Sequence, residues 1–205
     1  MAKILLTGFE PYLDYPDNSS WVVAEKVTTC GVDGVDLAIE QMPVSFSRVR
    51  EALLEAVKRH SPNIIIMLGQ SGVSDKIRLE RVALNMMDSK QPDNDGYMPN
   101  EDPIDKKTPT ALFTNISIKK LCAVVEEQNI SVKISNSCGL YVCNLLYYEA
   151  LKLCKEYHMK AIFVHLPLYE GQPSVKPNKN TMPLDDMVKA IQTIIVKINE
   201  EDREF

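Results

Sequence analysis

The sequence is poor in the residues that mark fibrous, repetitive or unfolded chains. Its 205 residues include only 8 glycines and 12 prolines, whereas 45% of the residues are hydrophobic and 25% are charged. These proportions exclude a collagen-like, low-complexity or wholly disordered chain. A chain of this length can bury a sizeable core and has room for one ordinary domain. We therefore expect a single domain over residues 1–205.

An excess of positive charge is also missing. The 23 lysines and arginines are outnumbered by 28 aspartates and glutamates, which gives a formal net charge of −5, and no basic cluster stands out locally. This balance provides no electrostatic attraction to phosphate backbones or to anionic lipid. We therefore expect no nucleic-acid partner.

Long apolar segments are absent as well. The longest runs, residues 64–68 and the interrupted stretch 191–198, fall well short of the roughly 20 residues that a membrane-spanning helix needs. Near the start of the chain only residues 4–6 form an apolar run, which is too short for a secretory signal. These features predict no membrane association and a cytosolic location.

The common signatures of nucleotide and metal binding do not occur. The sequence contains no G-x-G-x-x-G, G-x-x-x-x-G-K-[ST], H-E-x-x-H or C-x-x-C motif. Cys138, Cys143 and His165 could in principle ligate a metal ion, but the four-residue gap between the two cysteines is a weak zinc signature. We therefore expect neither a metal nor a cofactor.

What the chain does contain is an odd number of cysteines, five in all, without an export signal. Free thiols in a reducing compartment fit this pattern better than a disulfide framework. Most free cysteines serve as small buried hydrophobic residues, and we expect that role for Cys30, Cys122 and Cys154. One of the other two thiols, Cys138 or Cys143, is then available for chemistry.

Strand-like and helix-like patterns alternate along the sequence. The predicted strands cover residues 3–7, 35–42, 63–68, 132–135 and 161–165. The predicted helices begin near Ser19, cover residues 49–60, 117–128 and 141–155, and end with an apolar stripe over 187–198. Strands separated by helices predict the α/β class, as one three-layer α/β/α domain around a largely parallel twisted sheet. Ligands in such folds bind beyond the carboxyl ends of the strands.

One connection is unusually long. Residues 82–86 alternate like a further strand, and residues 88–109, which contain four prolines, follow without a helix or strand pattern. Loops of this length are uncommon in compact domains unless they are disordered or cover a site. The segment 88–109 is therefore predicted to be a lid.

Two side chains are well placed for chemistry. Cys143 lies in the first turn of a predicted helix, where unpaired backbone N–H groups and the helix dipole would lower the pKa of a thiol. His165 ends a predicted strand, whereas His60 and His158 lie toward the ends of predicted helices. Position alone leaves His165 equally open to a core histidine and a catalytic base.

The pattern around Glu80 favours an ordinary surface carboxylate. Glu80 lies at the head of the alternating strand, where a solvated pair with Arg78 or Arg81 is the simplest interpretation. A cysteine, a histidine and an orienting carboxylate or amide form the constellation of thiol acyl transfer. Their order in the sequence does not show that Glu80, Cys143 and His165 meet in space.

Six short blocks, in order along the chain, carry a family resemblance. They are ILLTGFEPY (4–12), NSSW (18–21), ERVALN (80–85), PDN (92–94), YVCN (141–144) and VHLP (164–167). The set resembles the pyroglutamyl peptidase I (pyrrolidone-carboxylate peptidase) family, and the resemblance extends to about Gln172. It implies an α/β/α domain that removes an N-terminal pyroglutamyl residue from peptides without a metal, in the cytosol and often as a homotetramer.

The resemblance also implies roles for individual residues. By motif, Cys143 is the nucleophile, His165 the general base and acid, and Glu80 the orienting carboxylate, which replaces the surface interpretation of Glu80. The implied pocket for the lactam ring has aromatic walls. Its predicted substrate-binding residues are Phe9, Tyr12, Asn18, Gln70, Lys90, Gln91, Tyr141 and Val142.

The sequence departs from the family pattern at two places. Leu13 and Asp14 stand where the family usually has Gly-Gly, and Lys90 and Gln91 stand where it usually has Arg-Ile. Lysine lacks the planar bidentate donor of arginine, and glutamine puts an amide where an apolar wall is expected. These exchanges bear on substrate fit and leave the three implied catalytic positions intact.

Two other functions fit the same residues. The chain could be a binding protein that keeps the pocket but turns over poorly, or a thiol amidohydrolase that acts on a different small amide. Turnover of a pyroglutamyl reporter amide distinguishes the first alternative, and a panel of acyl groups distinguishes the second.

Overall fold

The computed structural model of the protein describes residues 2–176 and 178–203, and strands alternate with helices along them. The strands are β1 (Ala2–Phe9), β2 (Val35–Met42), β3 (Ile64–Gln70), β4 (Ile77–Glu80), β5 (Val82–Leu84), β6 (Ala111–Phe113), β7 (Val132–Ser135), β8 (Lys160–Leu166), β9 (Leu168–Tyr169) and β10 (Thr181–Met182). The helices are α1 (Ser19–Cys30), α2 (Val49–His60), α3 (Ile118–Glu126), α4 (Val142–Tyr157) and α5 (Leu184–Arg203).

Six strands form the central sheet, in the order β2-β1-β3-β8-β4-β7. Neighbouring strands run parallel except for β4, which is antiparallel to β8. The prediction of an α/β fold with a largely parallel sheet is therefore confirmed. Of the described helices, none combines the length and the apolar character that crossing a bilayer requires.

Helices cover both faces of the sheet. Apolar side chains of α1, α3 and α5 pack against one face, and those of α2 and α4 pack against the other. Along β1, Ile4 and Leu6 face the first core while Leu5 faces the second, because successive strand residues point to opposite sides. The continuous apolar run of β3 has the same cause, since a strand covered on both faces has no polar side.

The structure corrects the sequence prediction around Glu80. The segment predicted as a strand over 82–86 is the shorter β5, which pairs with β6 outside the central sheet. The strand β4 lies before it and was not predicted, so Glu80 ends a central strand and does not begin an outlying one. A four-residue strand with two charged residues has too short an apolar pattern to be recognised.

The carboxyl ends of parallel strands lie at the same edge of the sheet. The strands β1, β3 and β8 end there at Phe9, Gln70 and Leu166. Because β4 is antiparallel to β8, it enters the sheet beside the end of β8. Residues from four strands therefore converge on this edge, where α/β proteins bind ligands.

A glycine allows α1 to approach this edge closely. A Cβ atom on Gly8 would lie 2.7 Å from the Cα atom of Trp21 and 2.8 Å from the carbonyl carbon of Ser20. The same contact is tied by a hydrogen bond, in which the Phe9 N–H donates to Ser20 Oγ at 2.9 Å. The start of α1 therefore packs directly against the end of β1.

We expect Gly8→Ala to lower the free energy of unfolding by about 1–3 kcal/mol, because the added methyl group overpacks against rigid helix backbone. Gly72→Ala is the matched control, since a Cβ atom there would meet its nearest neighbour, Leu168 Cδ1, at 3.8 Å. Urea denaturation of the two variants measures the difference. Equal stabilities would show that the β1 to α1 contact is not tight.

Candidate active site

Cys143 lies at the second position of α4, directly after the cap residue Tyr141 and the first helical residue Val142. Tyr141 has an extended backbone and makes no side-chain capping bond, so the first N–H groups of α4 lack a side-chain acceptor at the cap. The side chain of Cys143 is partly exposed. The helix start thus presents a thiol and unpaired backbone donors at the same place.

The thiol is less acidic than its position at a helix start predicts. Burial, reinforced by the negative charge of Glu80, raises the pKa of Cys143 to about 12. The positive charge of Arg78 and the Cys143 backbone N–H act in the opposite direction and are outweighed. The expected depression of the pKa is not found, because removing a thiolate from water opposes its ionisation more strongly than the helix start favours it.

His165 and Glu80 form a buried pair. The Nδ1 atom of His165 lies 2.9 Å from Oε1 of Glu80, and the two residues are only 4% and 0% exposed. Since a carboxylate only accepts, Nδ1 carries the hydrogen and donates. In the neutral ring Nε2 is then the unprotonated, basic nitrogen.

Burial lowers the pKa of His165 below its ordinary value of 6.5, although the hydrogen bond and the charge of Glu80 act to raise it. Arg78 adds to the lowering. Both shifts favour the neutral forms, a thiol on Cys143 and an uncharged imidazole on His165, over the thiolate and the imidazolium.

Close packing fixes the imidazole ring. The ring of Phe163 lies against that of His165, with centroids 4.7 Å apart. On the neighbouring strand β3, Gly69 is the register partner of His165. A Cβ atom on Gly69 would lie 2.7 Å from Phe163 Cζ and 3.2 Å from His165 Cδ2, so glycine leaves the space that both rings occupy.

Glu80 is not the solvated carboxylate that the sequence pattern favours. Its Oε1 lies 3.4 Å from Nε of Arg78, and its backbone carbonyl accepts a hydrogen bond from the Tyr147 hydroxyl at 2.9 Å. Arg81, the other candidate partner, donates instead to Asn136 Oδ1 at 2.7 Å. The local pattern was therefore right about Arg78 as a partner and wrong about the exposure of Glu80 to solvent.

A small cavity of about 100 Å³ opens beside the thiol. Its lining residues are Phe9, Tyr12, Asn18, Val44, Gln70, Tyr141, Val142 and Cys143. Pockets for drug-sized ligands measure roughly 300–1,000 Å³, so this one admits only a group of a few heavy atoms. The structure brings six of the eight predicted substrate-binding residues together around Cys143.

The polar lining residues are held by hydrogen bonds. The side chain of Asn18 caps α1, since its Oδ1 accepts from the N–H and the hydroxyl of Ser20. Gln70 Oε1 accepts from the Ser19 N–H and from Gln172 Nε2, both at 2.8 Å. Within the described residues no acceptor contacts Nε2 of Gln70, so this group is free to donate to a ligand.

The long loop is hydrogen-bonded to two residues that line the cavity. Residues 85–110 connect β5 to β6 and contain a single isolated bridge, between Met87 and Asp102. The carbonyl oxygen of Pro92 accepts hydrogen bonds from the hydroxyls of Tyr12 and Tyr141, at 3.2 and 2.9 Å. The segment predicted as a lid therefore contacts two lining residues.

Lys90 and Gln91 are not brought to the cavity. Both residues are exposed, and neither is among the lining residues. The Gln91 backbone N–H donates to Ser89 Oγ, within a local turn on the outside of the loop. The residue that sequence reasoning missed is Val44, which lies in the connection between β2 and α2 and carries no pattern that marks it.

No cluster of three or more histidine, cysteine, aspartate or glutamate side chains in the described part of the chain is placed to hold a metal ion. Glu80 holds His165 through a hydrogen bond, and the charges of Glu80 and Arg78 act on the Cys143 thiol. A thiol, an imidazole and a carboxylate are groups that can transfer protons and attack a carbonyl group.

Comparisons with known proteins agree with this geometry. The family model described as pyroglutamyl peptidase matches residues 2–201. The pyrrolidone-carboxylate peptidase of Thermococcus onnurineus is 38% identical over 195 residues, covering 94% of this chain and 96% of the relative. That of Bacillus subtilis is 30% identical over 204 residues, covering 98% and 94%.

Solved structures are similar over the same extent. The pyrrolidone carboxyl peptidase of Fervidobacterium islandicum AW-1 superposes with a TM-score of 0.93 at 33% identity, covering 98% of this chain and 99% of the other. Pyroglutamyl peptidase I of Bacillus amyloliquefaciens gives a TM-score of 0.89 at 31% identity, covering 95% of each chain. The likeness thus extends over nearly the whole chain.

Asp93 organises the loop beside the cavity, and we expect Asp93→Asn to loosen it. The carboxylate accepts backbone N–H groups from Phe46, Asp95 and Tyr97 at 2.8 to 3.0 Å, and an amide keeps only one acceptor oxygen. Losing such a bond removes about 1.5–3 kcal/mol, so proteolytic cleavage within residues 85–110 should accelerate about tenfold or more. Asp88→Asn is the control, and equal cleavage rates would contradict the assignment.

Proposed function

The chain belongs to the pyroglutamyl peptidase family, cysteine peptidases that remove N-terminal pyroglutamate from peptides, and we propose that Cys143, His165 and Glu80 are its catalytic machinery. The observation that carries the proposal is the meeting of two features at one sheet edge. One is a small cavity lined by a thiol, and the other is a buried imidazole–carboxylate pair whose charge acts on that thiol.

The reaction begins from neutral partners. Nε2 of His165 accepts the Cys143 proton as the sulfur attacks the carbonyl carbon that joins pyroglutamate to the next residue. The C–S bond forms while the carbonyl π electrons move to oxygen. The N–H groups at the start of α4 stabilise the resulting oxyanion, and Glu80 stabilises the imidazolium.

The leaving amine then takes the proton from His165, and the C–N bond breaks to leave a thioester on Cys143. Neutral His165 next removes a proton from water, whose oxygen attacks the thioester carbon. Cleavage of the C–S bond returns the thiol and releases pyroglutamic acid. Protons and electrons balance over the two halves without an added cofactor.

The cavity favours a compact, uncharged terminus. Phe9, Tyr12 and Val44 provide apolar walls that suit a five-membered ring, and the free Nε2 of Gln70 is available to a lactam oxygen. An open amino terminus would bring its ammonium charge into the same space. Because an unpaired charge is expensive to desolvate, the cavity discriminates against ordinary N-termini.

We further propose that the enzyme acts in the cytosol as a homo-oligomer, a dimer or a tetramer, built from one domain per chain. The resemblance supports this assembly, and apolar side chains such as Phe113 and Tyr157, at 63% and 59% exposure, offer surface for contacts between copies. Sedimentation equilibrium of the purified protein measures its mass in solution. A monomer at micromolar concentration would contradict the proposal.

We expect Cys143→Ser to lower kcat/KM for a pyroglutamyl reporter amide at least about a thousandfold with the fold intact, because it removes the nucleophile. Cys138→Ser, Cys122→Ser and Cys154→Ser are the matched controls and should keep activity. Circular dichroism verifies folding in each case. Stoichiometric alkylation that inactivates the enzyme at a different cysteine would refute the assignment. A panel of other acyl amides tests for a wider amidohydrolase activity.

A second prediction concerns the pH dependence of kcat/KM. Burial lowers the pKa of His165, so the basic form predominates at neutral pH and activity should fall as the pH drops through that lowered value. The pKa of Cys143 is about 12, so the rate should not rise between pH 7 and 9 as it would with a titrating thiolate.

Glu80→Gln tests how the Glu80 charge affects the pH dependence of kcat/KM. The substitution removes the charge that raises the pKa of His165, so the acid limb should move to lower pH. It also removes the support of the imidazolium, and kcat should fall by about 10²–10⁴. A rise confined to KM would show that Glu80 holds substrate and does not assist His165.

A further inference from the structure

Arg78 stands directly opposite His165 in the sheet. The two residues are register partners in the antiparallel pairing of β4 with β8. The Nε atom of Arg78 lies 3.4 Å from Oε1 of Glu80, the same oxygen that accepts the His165 N–H at 2.9 Å. The Oε1 oxygen therefore accepts the hydrogen bond of the imidazole and also lies within ion-pair distance of Arg78, whose Nε makes no hydrogen bond within the described residues.

The geometry of β4 directs both charges to the site. Residues two apart on a strand share a face, so Arg78 and Glu80 point to one side while Ile77 and Leu79 pack into the opposite core. The Arg78 side chain is only 21% exposed, and its Nε atom is buried. Its charge therefore acts at close range and with little screening by water.

A buried carboxylate needs positive charge near it. Glu80 is fully buried, and neutral His165 offers it a single N–H donor. Without a permanent cation nearby, the negative charge of Glu80 would favour protonation of His165. A protonated imidazole has no lone pair on Nε2, so it could not accept the proton of the thiol. Arginine supplies a charge that does not titrate.

We propose that Arg78 is a positioning residue that balances the Glu80 carboxylate and keeps His165 in its neutral, proton-accepting form. The proposal rests on the function proposed for Cys143, His165 and Glu80. In this proposal Arg78, which is not one of the three catalytic residues, helps determine the pH above which His165 is neutral and can accept a proton.

The other titratable groups around the pair stay neutral. Burial raises the pKa of the Cys138 and Cys143 thiols and of the Tyr147 phenol, so none of them ionises between pH 5 and 8. The charges to which His165 responds are those of Glu80, which raises its pKa, and Arg78, which lowers it. Removing the two charges should therefore move the pH profile in opposite directions.

The test compares Arg78→Met with Arg78→Lys in the full-length enzyme. Arg78→Met removes the charge and keeps an apolar stem, so the acid limb of kcat/KM should move up by about one pH unit, the lower end of the effect of one adjacent charge. Below the limb this is about a tenfold loss. Arg78→Lys keeps the charge and should leave the limb close to that of the unmodified enzyme.

Arg81→Met is the control, because Arg81 is on the same chain segment but pairs with Asn136 and not with Glu80. NMR titration of the His165 ring gives a readout that needs no turnover, and it should show the same upward shift in Arg78→Met. If Arg78→Met does not fold, Arg78→Gln removes the same charge with a polar side chain.

The proposal is overturned if the uncharged variant leaves both the acid limb and the ring titration unchanged while Glu80→Gln moves them down. It is equally overturned if Arg78→Lys shifts the limb as far as Arg78→Met does, because charge is then not the cause. These outcomes leave the proposed catalytic residues standing. The catalytic assignments are tested separately, by the activity of Cys143→Ser and by the kcat and KM of Glu80→Gln.

Discussion

The site depends on a carboxylate that is held away from water. Glu80 is fully buried at the end of β4, and such a charge persists only where donors and positive charge surround it. Its partners come from two strands, His165 from β8 and Arg78 from β4 itself. The antiparallel pairing of β4 with β8 brings these three residues together. It places Arg78 directly opposite His165, and Glu80 lies diagonally across from His165.

The same burial governs reactivity. It raises the pKa of Cys143 and lowers that of His165, which favours the neutral form of both groups before substrate binds. A neutral pair has no ready-made thiolate to offer. In the proposed reaction charge develops only in the transition state, and the helix start and Glu80 are placed to stabilise it. The desolvation that disfavours the resting thiolate also strengthens such interactions, because a site with little water screens charges weakly.

Sequence patterns predicted those parts of the molecule that depend on local chain properties. The apolar run of β3 and the start of α4 at Cys143 follow from residue order alone, and so does the place of His165 near the end of a strand. Glu80 was misplaced because β4 is four residues long and half charged, and only pairing with β8 buries it. The helix start predicted an acidic thiol at Cys143, but burial by distant segments reversed the shift, which no local pattern contains.

Local sequence patterns predict even less about the walls of the cavity. Its walls come from the last residues of β1 and β3, from the irregular segments after β1 and β2, and from the start of α4. The long loop is attached to this wall through the backbone oxygen of Pro92, which accepts hydrogen bonds from Tyr12 and Tyr141. A carbonyl oxygen is present at every residue, so no sequence pattern marks the one that is used. Lys90 and Gln91 precede this contact and are exposed. The side chains of Lys90 and Gln91 therefore belong to the outer surface of the loop, while the wall of the cavity is built in part by Tyr12, Tyr141 and Phe9, where the chain keeps aromatic residues.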